Sequence, residues 1–118
     1  MDAHLYRELG AALGMDELQP DDDGLAQICM PWGLLCVEPG CDAMLFSLRP
    51  VLDDPIRAAE ALLKRINLRQ LRTPVHIGLH EDQLVLSVRI ATCDLNVGRI
   101  AESLQWMRNL LATAPGAP

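Results

Sequence analysis

Aromatic residues are almost absent from this chain. Tyr6, Trp32, Phe46 and Trp106 are the whole set, 3% of 118 residues. Half of all residues are nevertheless hydrophobic, so the core is expected to be aliphatic. No run approaches the ~18 consecutive apolar residues of a membrane span. No secretory signal is expected, because the N-terminus reads as a polar amphipathic segment. The length suits one domain, expected over residues 1–113. The tail Ala114-Pro115-Gly116-Ala117-Pro118 is expected to be disordered.

Several chemical motifs are missing. There is no GxxxxGK[ST] and no GxGxxG, so no phosphate cradle is announced. HExxH and GxSxG are lacking too. Cysteines stand at 29, 36, 41 and 93 with no CxxC spacing, which leaves zinc ribbons and thioredoxin-like redox unsupported. Cys29 and Cys36 lie in apolar strand-like runs and are expected to act as small hydrophobes. Free thiols suit a reducing cytoplasm, so a cytoplasmic location is expected. His76 and His80 are four apart, a metal spacing on a helix. Their run reads as a strand rising ~3.3 Å per residue, which starts the rings ~13 Å apart on one face. That is too far to share a zinc. The expectation is no catalytic residue, no metal, no cofactor and no small-molecule substrate.

Positive charge is scarce and uneven. Ten bases face 16 acids, for a net charge of −6. Residues 1–54 hold 11 acids and two bases; residues 55–118 hold five acids and eight bases. An acidic chain disfavours general nucleic-acid binding. The one basic stretch, Lys64 to Arg72, is interleaved with aliphatics and reads as a helix C-terminus whose cations face the dipole.

Pro20-Asp21-Asp22-Asp23-Gly24 invites a calcium-loop reading. With Gly24 as the sixth position of such a loop, the first is Gln19 and the twelfth is Met30. The first charged ligand and the closing carboxylate are both absent. A tight turn is the simpler reading, since Asp tolerates left-handed backbone and Gly adopts positive φ.

What is present is periodicity. Leu5, Leu9, Ala12 and Leu13 fall at helical spacing over 3–14, with Gly14 as a stop. Strands are expected at 25–30, 34–38 and 43–49, joined by Pro31-Trp32-Gly33 and Pro39-Gly40-Cys41-Asp42. Asp54 and Pro55 suit the N-cap and first position of a second helix, with an apolar seam of Ile56, Ala59, Leu63 and Ile66, widened by Ala58, Ala61 and Leu62. That face is broad enough to cover a sheet and still meet a partner. Residues 75–80 and 84–91 alternate as a hairpin around Glu81-Asp82-Gln83. Asp94 or Asn96 caps a last helix with Val97, Ile100, Leu104, Met107 and Leu111 on one face. The order α-β-β-β-α-β-β-α predicts an α+β fold, helices packed on a twisted antiparallel sheet. From pattern alone the function reaches a cytosolic binding module that dimerises.

Leu13-Gly14-Met15-Asp16-Glu17-Leu18, then residues 20–28, Leu34 to Glu38 and Glu81 to Arg89, resemble in this order and spacing the class I chaperones of bacterial type III secretion. The resemblance covers about residues 4–111. Its third strand departs, reading Met44-Leu45-Phe46-Ser47-Leu48-Arg49-Pro50 where the family often has Leu-x-x-Tyr-Ala-Pro-Leu. The Gly-rich joint before the second strand pair is also reduced to Arg72-Thr73-Pro74.

The resemblance implies a cytoplasmic homodimer that is not an ATPase or other enzyme. It would hold the N-terminal segment of a secreted virulence effector non-globular and ready for export. It places the dimer seam on the second helix, at Ile56, Ala59, Leu62, Leu63 and Ile66. About half of these are expected to cover the sheet instead, since one helix face cannot serve both surfaces. Effector contacts are expected at Leu5, Leu9, Trp32 and Leu34. Trp32 reads equally as a lid on a small apolar cluster. The alternatives are a regulatory partner-binding protein of the same secretion system and a small nucleic-acid-binding module using Lys64 to Arg72.

Overall fold

Period-two alternation sorts the strands of this chain into two unlike faces. The computed structural model describes residues 3–14, 24–67 and 75–114. Helix α1 is Ala3–Leu13, followed by strands β1 (Ala26–Met30), β2 (Gly33–Pro39) and β3 (Ala43–Pro50). Helix α2 (Pro55–Asn67), strands β4 (His76–His80) and β5 (Gln83–Ala91) and helix α3 (Val97–Ala112) complete the fold. The expected order and class are observed, with strand and helix limits shifted by only a residue or so.

The five strands pair antiparallel in the order β1-β2-β3-β5-β4. Ile28, Leu35, Leu48, Leu86 and Ile77 form one cross-sheet row. Leu35, Leu48 and Leu86 in that row are fully buried. The neighbouring row on the opposite face is Gln27, Cys36, Ser47, Ser87 and His76, none of them buried. All three helices serve the first face. α2 lies over β4 and β5, α3 lies over β5, and α1 packs on α3. The core is aliphatic as expected, with Phe46 and Tyr6 as its buried aromatics.

Local chemistry sets the joints. Asp54 Oδ1 accepts the Arg57 amide at 3.1 Å, so it caps α2 and Pro55 takes the first turn, where a missing N–H costs nothing. Asn96, not Asp94, caps α3: its Oδ1 accepts the Arg99 amide at 2.9 Å. Asp94 sits in a 3-10 turn, Thr92–Asp94. The β4–β5 turn is two residues, not three. Glu81 and Asp82 both have positive φ, which matches strand twist in a tight hairpin, and Gln83 starts β5.

Residues 15–23 lie outside the described residues, and with them the aspartates of the candidate calcium loop. Gly24 has φ +82, the conformation a turn there requires. Its carbonyl accepts a hydrogen bond from the Tyr6 hydroxyl, tying α1 to the lead-in of β1. Ala114 belongs to the core cluster. Residues 115–118 are outside the described set. Cys29 and Cys36 do not act as core hydrophobes, because alternation with Ile28 and Leu35 turns them to the helix-free face.

Candidate functional site

Two flanks of the molecule leave apolar surface uncovered. The first is where α2 meets the edge strand β4. The inward stripe of α2 is Ala58, Ala59 and Leu62, all fully buried. Two alanines let the helix lie close to the sheet, but they bury little area. Ile56 (41% exposed) and Leu63 (38%) stay at the surface on the same helix. Leu79 on β4 is 48% exposed, and Val51, just before α2, is 70% exposed. These four are two-thirds of the exposed large hydrophobics among the described residues, the others being Leu45 and Val97.

The seam expectation therefore divides. Ile56 and Leu63 are exposed and Ile66 is half-buried. Ala59 and Leu62 are corrected: they spend their whole surface on the sheet and have none left for a second subunit. Leu79 was missed. It falls in a strand whose alternation marks it as a core residue, and nothing in the sequence shows that β4 runs past the cover of α2. Lys64 and Arg65 lie in the last turn of α2, in line with the dipole reading. Residues 68–72 of the basic stretch are outside the described set.

The second flank lies between the end of α1, the β1–β2 turn and α3. Leu13, Met30, Trp32, Ala101, Leu104, Gln105 and Arg108 line an open groove of about 270 Å³. Small-molecule pockets are larger and more enclosed, about 300–1,000 Å³, so the groove suits one or two side chains of a peptide. Trp32 is half-buried and packs against the core. Its place is fixed by Gly33, whose φ is +154 and where a Cβ would stand 2.5 Å from the Arg49 carbonyl oxygen and 2.8 Å from the Pro50 Cα. Only glycine lets β2 start this close to the end of β3. On α3, Arg99 stacks over Trp106 with its guanidinium carbon 4.8 Å from the ring centroid.

The effector-contact expectation is divided as well. Trp32 lines the groove. Leu9 is corrected, being fully buried within the chain. Leu34 is also displaced: it stands between Cys29 and Arg49 on the helix-free face, away from α1. The side chain of Leu5 lies outside the described set. Half-buried Leu13 and Met30, and buried Leu104 at the groove floor, were not expected in this site. Trp32, in a chain nearly without aromatics, was the available signal.

β1 has a strand neighbour on one side only, as does β4, among the described residues. Each edge can take a further strand. On the helix-free face, Cys36, Glu38, Ser47, Arg49, His76, His80 and Ser87 help line a shallow trough of about 380 Å³.

Among the described residues Ser103 is the only buried polar or charged side chain, and its hydroxyl donates to the Arg99 carbonyl at 2.9 Å. No three His, Cys, Asp or Glu among them are grouped to hold a metal. No helix among them is long and apolar enough to cross a membrane.

No protein-family model and no curated protein matches the chain. Solved structures do. The Yersinia pestis type III secretion chaperone SycH, crystallised with a fragment of YscM2, has a TM-score of 0.75 at 17% identity, over 96% of this chain and 98% of that one. The HopA1–SchA chaperone–effector complex gives 0.69 at 20% identity, over 91% and 90%. The ExoT–SpcS complex from Pseudomonas aeruginosa gives 0.67 at 16% identity, over 94% of each chain. At such identities the likeness establishes the fold: this chain has the fold of those secretion chaperones along nearly its whole length.

Proposed function

We propose that this protein is a cytoplasmic, non-enzymatic chaperone of a bacterial type III secretion system. It acts as a homodimer and binds the N-terminal segment of a secreted effector. It holds that segment non-globular without ATP and without a cofactor. The observation that carries the reading is the end-to-end likeness to chains solved in complex with protein partners.

The surfaces supply a physical route. Ile56, Leu63 and Leu79 form an apolar flank that a second copy covers, with Ile66 at its margin. The groove at Trp32, Leu13 and Leu104 takes apolar side chains of an extended or helical segment, and the free edge of β1 takes a strand. Arg108 and Gln105 give the groove a polar rim.

Native mass spectrometry of the protein gently purified from its own host tests this. The expected species is two subunits plus one larger polypeptide, with the N-terminal region of that polypeptide protected from protease. A bare monomer, or a particle carrying nucleic acid, would overturn the reading. The identity of the bound polypeptide, exported or regulatory, separates an effector chaperone from a regulatory protein of the same system.

A further inference from the structure

Arg108 is the only charged side chain that lines the groove at Trp32. It is exposed, and no ion pair or hydrogen bond engages it among the described residues. The sequence of α3 gives the reason. Helix neighbours lie three or four residues away, and for Arg108 these are Leu104, Gln105, Leu111 and Ala112. Glu102 is the one acid of α3, and Arg99 lies 3.6 Å from it. Arg89, by contrast, meets Asp42 at 2.8 Å. Gln105 beside Arg108 is neutral, and its amide nitrogen donates to Asn109 Oδ1 at 2.8 Å. In a chain with 16 acids and ten bases, this groove ends on a cation that no acid answers.

The spacing on α3 converts that charge into a pattern. Ala101, Leu104 and Arg108 line the same groove, at helical offsets that share one face. Leu104 is buried at its floor, with Leu13, Met30 and Trp32 around it. From Leu104 to Arg108 the helix rises about 6 Å. A ligand that seats an aliphatic side chain over Leu104 reaches the guanidinium if it carries a carboxylate that far along. In an extended segment this offset is two residues, about 6.6 Å. In a helical segment it is four residues, about 6 Å. The guanidinium fork can bond both carboxylate oxygens at once. The net charge of −6 opposes an acidic ligand at long range. Salt screens that field beyond about 8 Å, so the local cation decides.

We propose that Arg108 makes the groove selective for a segment carrying an aliphatic residue and an aspartate or glutamate at this spacing. The apolar contact supplies most of the binding, and the rim charge supplies discrimination. This selectivity rests on the groove being the surface that binds the effector segment, and it adds what that segment must contain.

The test selects a random dodecapeptide library displayed on phage against the full chain at low salt, with W32A, R108Q and R108E in parallel, and sequences the enriched pools. The wild-type pool should enrich Asp or Glu two or four positions from an aliphatic residue. R108E should enrich Lys or Arg at the same offset. R108Q should keep the aliphatic residue and lose the charge preference. One enriched peptide is then titrated in its Glu and Gln forms. The Gln form should bind the wild type about fivefold more weakly and bind R108Q no differently. R108Q should melt with the wild type, because Arg108 has no partner in the fold to lose. A lower melting temperature would show that it answers a charge within the fold, and would overturn the proposal. So would recovery of the same acidic peptides on R108E. Peptides that depend on Trp32 but show no charge preference would overturn the selectivity and leave the groove as a binding surface. A wild-type pool with no enrichment that depends on Trp32 would remove the groove as a binding surface, and the selectivity with it.

Discussion

The α2/β4 flank and the groove flank expose apolar surface for different reasons. On the first, the strand itself is poorly covered: of the five residues of β4 only Ile77 is even half-buried. A helix with a stripe of two alanines and one leucine cannot hide an edge strand and its own other side at once. On the second flank, β1 buries two of its five residues. Its last residue, Met30, and Trp32 just after it are half-buried against the core. The first surface leaves an edge strand largely uncovered; the second is finished but recessed. A permanent, large apolar contact suits the first, and an exchangeable ligand suits the second.

The sharpest break of that contrast lies between two adjacent residues of α2. Leu62 is fully buried and Leu63 is not. Leu62→Ala should lower unfolding free energy by about 2–5 kcal/mol, since it leaves a cavity against the sheet. Urea titration at fixed protein concentration reads this. Leu63→Asp should leave the fold of the subunit standing but place a charge in the proposed seam. Association should weaken by at least roughly a hundredfold, about 3 kcal/mol. Sedimentation over a dilution series measures it, and a dimer as tight as the parent would remove Leu63 from the seam. The pair of results must differ in kind: loss of fold for one, loss of partner for the other.

Much of the fold was legible because its elements are locally self-consistent. Asp54-Pro55, Gly14 and the alternation in 84–91 each mark their element in physical terms that tertiary packing had no reason to override. The surfaces were harder. A helical stripe shows which residues are apolar, not which of two adjacent faces a neighbour will cover. Ala59 and Leu62 went to the sheet because the small side chains of Ala58 and Ala59 let α2 approach there. Leu9 was absorbed because α3 packs on α1, a contact more than eighty residues away in the chain, and Leu34 was lost to a one-residue phase in β2. Short-range pattern carries no information about such long-range cover. Trp32, between proline and glycine, is half-buried and lines the groove, a place that suits both a partner contact and a lid on the core.

Trp32 gives the next prediction, aimed at the recessed flank. Trp32→Ala should weaken partner binding by about 2 kcal/mol, roughly thirtyfold, with the dimer unchanged. Isothermal titration of the proposed dimer with the bound segment, once identified, checks it. Equal losses in binding and in dimerisation would mean the two flanks are not separate surfaces.

The smallest expected effect is at Asn96. Its side chain satisfies the Arg99 amide at the start of α3, and its carbonyl accepts the Ile100 amide at 3.0 Å. Removal of the cap in Asn96→Ala should cost about 1 kcal/mol of stability. The loss should be felt first in the opening turn, where Arg99 lies over Trp106. The groove wall on α3 begins at Ala101, directly after that turn, so fraying there loosens the groove wall while α2 and β4 are untouched. Amide hydrogen exchange should rise in the first turn of α3 and stay unchanged along α2. Exchange that rises equally along α2 would show that the two flanks open as one unit, and the division of labour between them would have to be given up.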